Sequence, residues 1–112
     1  GTRDVGGRML AYVQEHYCDS SLSQQELADQ FQLSRSAVSK IFKSAAQVNF
    51  IDYLHLLRVQ KAKEYFDAGA TNILEIAKKT GYENEITFKR AFQRVETVTP
   101  KKYIDAARDY FR

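Results

Sequence analysis

The chain has 112 residues, enough for one domain or for two very small units that share a core. Two basic and five acidic residues stand in 1–33, whereas fifteen basic and nine acidic residues stand in 34–112, so a polyanion is expected to bind the second part. Because Cys18 is the only cysteine, a disulfide framework and a thiolate metal site are excluded. No apolar stretch approaches the roughly 18 residues that span a bilayer. We therefore expect a cytoplasmic segment without membrane contact.

Helices are favoured throughout, because the chain contains one proline and five glycines and shows no strand pattern. Residues 1–7 resemble a cloning remnant followed by the end of a linker, as of a domain cut from a longer protein. The first helix is predicted to begin at Arg8 and to run to Tyr17, with Met9 and Val13 on one apolar stripe.

Two short helices follow, each with a recognisable start. Ser23 is predicted to cap the second helix, because Glu26 stands three residues later as in a capping box. Ser34 is predicted to cap the third helix, which runs to about Ala46.

The fourth helix is predicted to start at Asn49 and to end at about Phe66, before Gly69, a residue suited to a left-handed terminal position. A helix of about 17 residues is roughly 25 Å long, at 1.5 Å per residue. A stiff rod of that length could hold two helical units at a fixed separation.

The second half of the chain repeats the first, and Asn72, Asn84 and Thr99 are the predicted caps of its helices. Residues 23–28 (SQQELA) correspond to 72–77 (NILEIA) at an offset of 49, and residues 48–50 (VNF) correspond to 98–100 (VTP) at an offset of 50. The fold class is therefore predicted as all-α, with about seven helices forming two helix-turn-helix subdomains joined by a long linker helix. The boundaries are 8–48 for the first subdomain, 49–67 for the linker helix and 70–112 for the second subdomain.

The third and sixth helices of this prediction carry matched polar faces opposite their apolar stripes. Lysine and arginine pair with guanine edges, glutamine with adenine, glutamate with cytosine, and isoleucine touches the thymine methyl. Two such faces suit the major groove of duplex DNA. The candidate base-reading residues are Ser36, Ser39, Lys40, Lys43, Glu85, Ile86, Lys89, Arg90 and Gln93.

Contacts to phosphate are expected around these faces, because free N–H groups at helix starts attract anions and cations pair with the DNA backbone. The candidates for the DNA backbone are Ser34, Arg35, Asn84, Thr87, Arg94, Thr99, Lys101 and Lys102.

Three segments carry a family resemblance: 76–82 (IAKKTGY), 88–92 (FKRAF) and 98–103 (VTPKKY). Together with the rest of residues 8–106 they resemble the DNA-binding domain of the AraC/XylS family of bacterial transcription regulators. The resemblance implies two helix-turn-helix subdomains in adjacent major grooves of double-stranded promoter DNA. It also implies activation through RNA polymerase, and an effector or dimerisation domain elsewhere in the full-length protein.

Gln32, Gln47 and Thr97 depart from this family, which often has glycine at such positions, and a non-glycine residue at positive φ carries a conformational cost. An alternative to DNA binding is a helical protein-interaction module that kept the fold, which Glu83, Glu85 and Glu96 around the sixth helix would suit. An enzyme is disfavoured, since no phosphate loop, metal-ligand spacing or nucleophile elbow occurs, and no cofactor is expected.

Overall fold

The computed structural model describes residues 4–110. Residues 1–3 of the predicted linker and residues 111–112 of the predicted second subdomain lie outside the described residues. Within the described part the fold consists of seven α-helices and contains no strand, so the all-α prediction is confirmed. The helices are α1 (Val5–His16), α2 (Gln24–Phe31), α3 (Arg35–Ala46), α4 (Phe50–Asp67), α5 (Ile73–Lys79), α6 (Glu85–Glu96) and α7 (Pro100–Tyr110).

The start of α1 differs from the prediction. The helix begins at Val5 rather than at Arg8, so residues 5–7 are helical. Packing explains this extension, because a Cβ on Gly6 would lie only 2.7 Å from the Cβ of Ala45 in α3. The close approach of the two helices therefore holds a Val-Gly-Gly segment that has little helix propensity of its own.

The predicted helix caps are confirmed. Each capping side chain accepts a hydrogen bond from the backbone N–H three residues later, at 2.8–3.2 Å, which satisfies one of the free donors at that helix start. These caps are Ser23, Ser34, Asn49, Asn72, Asn84 and Thr99. The carboxylate of Glu26 is used differently from a capping box: its Oε1 accepts from the Tyr12 hydroxyl at 3.5 Å, and its buried Oε2 has no hydrogen-bond partner.

Two apolar cores are built around equivalent phenylalanines of the repeat. Phe42 of α3 contacts the rings of Phe50 and Tyr53 edge-on, with centroid distances of 5.6 and 5.4 Å. Phe92 of α6 contacts Phe66 and Tyr103 in the same manner, with centroid distances of 5.9 and 5.6 Å. Edge-to-face contacts of this kind stabilise a core beyond the area that they bury.

Helix α4 contributes side chains to both cores. Phe50 and Leu54 belong to the first core, whereas Val59, Ala62 and Phe66 belong to the second. Because the two cores use different stretches of one 18-residue helix, α4 joins them as a shared rod about 27 Å long. The molecule is accordingly elongated, with dimensions of 50 × 23 × 20 Å.

Three residues that end α2, α3 and α6 adopt the left-handed backbone conformation although none of them is glycine. Gln32, Gln47 and Thr97 have φ values of 56°, 65° and 67°. The N–H groups of Gln47 and Thr97 donate to carbonyls of the preceding helical turn, each at 2.8 Å. These bonds satisfy terminal carbonyl groups and offset part of the conformational cost.

Candidate nucleic-acid interface

Helix α3 presents a cationic surface to solvent. Val38 and Phe42 are fully buried on its inner side. The predicted outer residues are all exposed, and among residues 4–110 no ion pair engages the basic ones. This α3 face consists of Ser34, Arg35, Ser36, Ser39, Lys40 and Lys43.

Helix α6 presents the corresponding surface in the second subdomain. Its inner side is buried through Phe88, Ala91 and Phe92. Ile86 is 64% exposed, more than the exposed aliphatic side chains Ile51, Leu56 and Leu74. This α6 face consists of the exposed residues Ile86, Thr87, Lys89, Arg90, Gln93 and Arg94 together with the half-buried Glu85.

The two faces differ in how their charges are compensated. On α6, Lys89 Nζ lies 3.6 Å from Glu85 Oε1, and Arg94 Nη2 lies 3.4 Å from Asp52 Oδ1 of α4. Exposed ion pairs of this kind contribute about 0.2–1 kcal/mol, so both cations can exchange their carboxylate for a phosphate at small cost. The α3 face is thus the more cationic one, and the α6 face is partly neutralised.

The starts of α3, α6 and α7 are candidate phosphate contacts. The side-chain oxygens of Ser34, Asn84 and Thr99 are occupied as acceptors of backbone N–H groups. Their own hydroxyl or amide hydrogens take no part in those bonds and can be donated to an anion. Lys101 and Lys102 are exposed in the first turn of α7.

Sequence reasoning missed a hollow of about 190 Å³ beside the α6 face, lined by His55, Thr87, Arg90, Ala91 and Arg94. The Nδ1 atom of His55 lies 2.7 Å from the Tyr82 hydroxyl, and the two rings are stacked with an interplanar angle of 4°. Burial lowers the pKa of His55, and the nearby Arg58 and Arg94 lower it further. The lowered pKa favours the neutral imidazole. No local sequence signal indicated this pairing, because 27 positions separate the two rings.

Residues 4–110 lack the features of two other classes of site. No group of three or more histidine, cysteine or carboxylate side chains there is arranged to hold a metal ion. Across the same residues, no helix combines the length and the apolar character that crossing a bilayer requires.

The chain is similar to known helix-turn-helix proteins. A family model described as a helix-turn-helix domain matches residues 27–106. The HTH-type transcriptional regulator AlkR of Acinetobacter baylyi is 33% identical over 87 residues, which cover 78% of this chain and 28% of AlkR. The raffinose operon transcriptional regulatory protein RafR of Pediococcus pentosaceus is 30% identical over 94 residues, covering 84% of this chain and 34% of RafR. The chain thus spans about a third or less of the length of these curated relatives.

Solved structures with the same fold include the C-terminal domain of AraT, a response regulator from Geobacillus stearothermophilus. That domain has a TM-score of 0.87 and 28% identity, with 91% of this chain and 84% of that chain covered. The DNA-binding domain of AdpA, a global transcriptional factor solved in complex with a target DNA, has a TM-score of 0.85 at 21% identity, with 94% of each chain covered. At that identity the likeness to AdpA is one of fold.

Proposed function

The chain is a helix-turn-helix domain of the AraC/XylS family of DNA-binding transcription regulators, and from this premise we propose that the α3 and α6 faces enter successive major grooves of one double-stranded DNA site. The observation that carries the proposal is the repeated arrangement of a buried apolar stripe opposite an exposed polar face on both helices. A single solvated helix surface would not recur with the same caps and the same buried positions.

The dimensions of the molecule support this proposal. Successive major-groove faces on one side of the duplex lie about 34–36 Å apart, and each groove is about 12 Å wide. A molecule 50 Å long, with a shared rod of about 27 Å between its cores, is large enough to reach both grooves as a monomer.

The side chains of the two faces suggest how bases are read. Lys40, Lys43, Lys89 and Arg90 suit guanine, and the remaining members add contacts to other bases. Under this proposal Gln93 suits adenine, Glu85 accepts from cytosine, Ile86 touches a thymine methyl, and Ser36 and Ser39 donate or accept. The backbone is held by Ser34, Arg35, Asn84, Thr87, Arg94, Thr99, Lys101 and Lys102.

The experiment is a selection from randomised duplexes, followed by fluorescence anisotropy with the recovered site. Lys40→Ala and Arg90→Ala are each expected to weaken binding by about 1–3 kcal/mol and to relax the base preference at one position. Lys61→Ala is the matched control, because it removes a lysine of α4 that pairs with Glu64 at 3.3 Å rather than a residue of either face. Equal affinity for the recovered site and for random duplex would refute the proposal. Such a result would favour the helical protein-interaction module.

For the full-length protein we propose transcription activation by contact with RNA polymerase, with an effector or dimerisation domain outside this chain and action on the nucleoid in the cytoplasm. The name of RafR, an operon transcriptional regulatory protein, supports a role in transcription regulation, whereas activation through RNA polymerase rests on the family resemblance. No cofactor and no enzymatic activity are part of the proposal. In vitro transcription from a template carrying the selected site tests it, since activation requires more transcript with the full-length protein than without it.

A further inference from the structure

Arg58, near the middle of α4, is a charged residue that is only 6% exposed. Its Nε donates to the Tyr17 carbonyl at 2.7 Å, and its Nη2 donates to the Asp19 carbonyl at 3.0 Å. Its Cζ lies 5.2 Å from the centroid of the Tyr82 ring. Burial of a guanidinium is costly unless such hydrogen bonds and ring contacts compensate it.

The partners of Arg58 come from both halves of the molecule. Tyr17 and Asp19 belong to the connection between α1 and α2 in the first subdomain. Tyr82 follows α5 in the second subdomain and packs into the second core. The guanidinium therefore links the two subdomains to each other as well as to the helix that carries it.

Close to Arg58, the backbones of the two subdomains also approach each other directly. A Cβ on Gly81 would lie 2.8 Å from the Tyr17 carbonyl oxygen and 2.6 Å from Arg58 Nε. Gly81 has a φ of +112°, which also disfavours a side chain. The connection between α1 and α2 thus rests against the turn before α6 with no room for an additional carbon atom.

We infer that Arg58 is a positioning residue that fixes the separation and rotation of α3 relative to α6, and thereby sets the spacing of the two DNA segments that one monomer reads. Helix α4 joins the cores along a single line, and a rod held along one line still permits rocking of one core against the other. The contacts of Arg58 add a second attachment that restricts this motion. The inference about DNA spacing rests on the proposed function, whereas the inference about rigidity does not.

If the two subdomains are held rigidly, the affinity for DNA should depend strongly on the number of base pairs between the two segments that they contact. Moving one segment by two base pairs rotates it by roughly 70° and shifts it by about 7 Å, given 10–10.5 base pairs and 34–36 Å per turn. A rigid protein then engages only one segment at a time and loses the gain of paired binding, which is about 10²–10⁴-fold when geometry allows both contacts.

The test compares wild type with Arg58→Met and Arg58→Lys on duplexes whose two segments are separated by the optimal spacing or by two base pairs more or fewer. Wild type is expected to lose at least about 10-fold in affinity on the shifted duplexes. Both variants are expected to discriminate less than about 3-fold, while keeping wild-type affinity for a single segment. A variant that retains the full spacing preference overturns the inference. Circular dichroism establishes that each variant is folded, and the lysine variant carries the test if the methionine variant is not.

A second measurement needs no DNA. Spin labels attached to Gln30→Cys in α2 and Asp105→Cys in α7, both at exposed positions and in a Cys18→Ser background, report the distance between the subdomains. A narrow distance distribution in wild type that broadens in Arg58→Met supports the inference, and identical distributions overturn it. If the selected duplexes show no specific binding at all, the proposed function fails, while the label distances still decide the role of Arg58.

Discussion

Replacing Gly81 by alanine tests how tightly the two subdomains are joined, and Gly69 provides a matched control. Both residues have positive φ, +112° and +108°, so alanine at either position carries a similar backbone cost of about 1–3 kcal/mol. Their surroundings differ completely. Nothing lies within 4 Å of a Cβ at position 69, whereas a Cβ at position 81 meets Arg58 Nε, the Tyr17 oxygen and Arg58 Cζ at 2.6, 2.8 and 2.9 Å.

The difference between the two variants follows from these distances. The Tyr17 oxygen is a backbone atom, so it moves only if the connection between α1 and α2 shifts, and such overpacking costs about 1–3 kcal/mol. Displacing the guanidinium also weakens hydrogen bonds of a charged group, each contributing about 1.5–3 kcal/mol. We expect Gly81→Ala to lower the free energy of unfolding by at least about 2 kcal/mol more than Gly69→Ala does.

Urea denaturation followed by circular dichroism measures this difference. With a slope of about 1.5 kcal/mol per molar urea, a difference of 2 kcal/mol separates the two midpoints by about 1.3 M. Midpoints within about 0.3 M of each other would refute the reasoning, because they would mean that the junction yields to a methyl group at no cost. In an Arg58→Met background the extra cost at position 81 is expected to shrink, since two of its three close atoms belong to the guanidinium.

Three further predictions concern charge. Lys102→Ala is expected to weaken DNA binding equally for all sequences, because it removes a phosphate contact. Fluorescence anisotropy at salt concentrations of about 50 to 200 mM measures the effect, and the slope of log K against log salt is expected to become shallower by about 0.9. Asp52→Asn frees Arg94 and is expected to strengthen binding to random duplex at low salt, whereas unchanged binding would show that Arg94 does not reach the DNA. The free energy of unfolding is expected to decrease as the pH falls from 7.5 through about 6.5, because the lowered pKa of His55 makes the unfolded chain take up the proton first. His55→Gln is expected to flatten that dependence in urea titrations at several pH values, and a wild-type protein that becomes more stable on acidification would contradict it.

Local signals in the sequence predicted the helices well. Each cap needs only one side chain and the N–H group three positions on, so Ser34, Asn84 and Thr99 could be recognised directly. The burial of Phe42 and Phe92 followed in the same way, from the apolar stripes of α3 and α6. The identity of the exposed faces was likewise predictable, because each residue opposite a buried stripe must face outward.

Contacts between distant segments could not be read in this manner. Arg58 contacts carbonyl groups about 40 positions away, and Asp52 pairs with Arg94 across 42 positions. In the sequence, α4 is a helix with polar residues that separates two units. Arg58 is buried only because the connection between α1 and α2 and the turn before α6 pack against α4. The early start of α1 was missed for the same reason, since Gly6 is held in a helix by its contact with Ala45.

The α3 face and the α6 face differ in how far their positive charges are neutralised, so the two ends of one monomer are not equivalent. A protein whose ends are distinguishable binds an asymmetric sequence in one direction only, and inverting that sequence turns the whole molecule end for end. The α1 end and the α7 end would then exchange their upstream and downstream positions. We therefore expect that the orientation of a site relative to a gene, as well as its distance, determines which end of this protein faces other proteins bound nearby on the DNA.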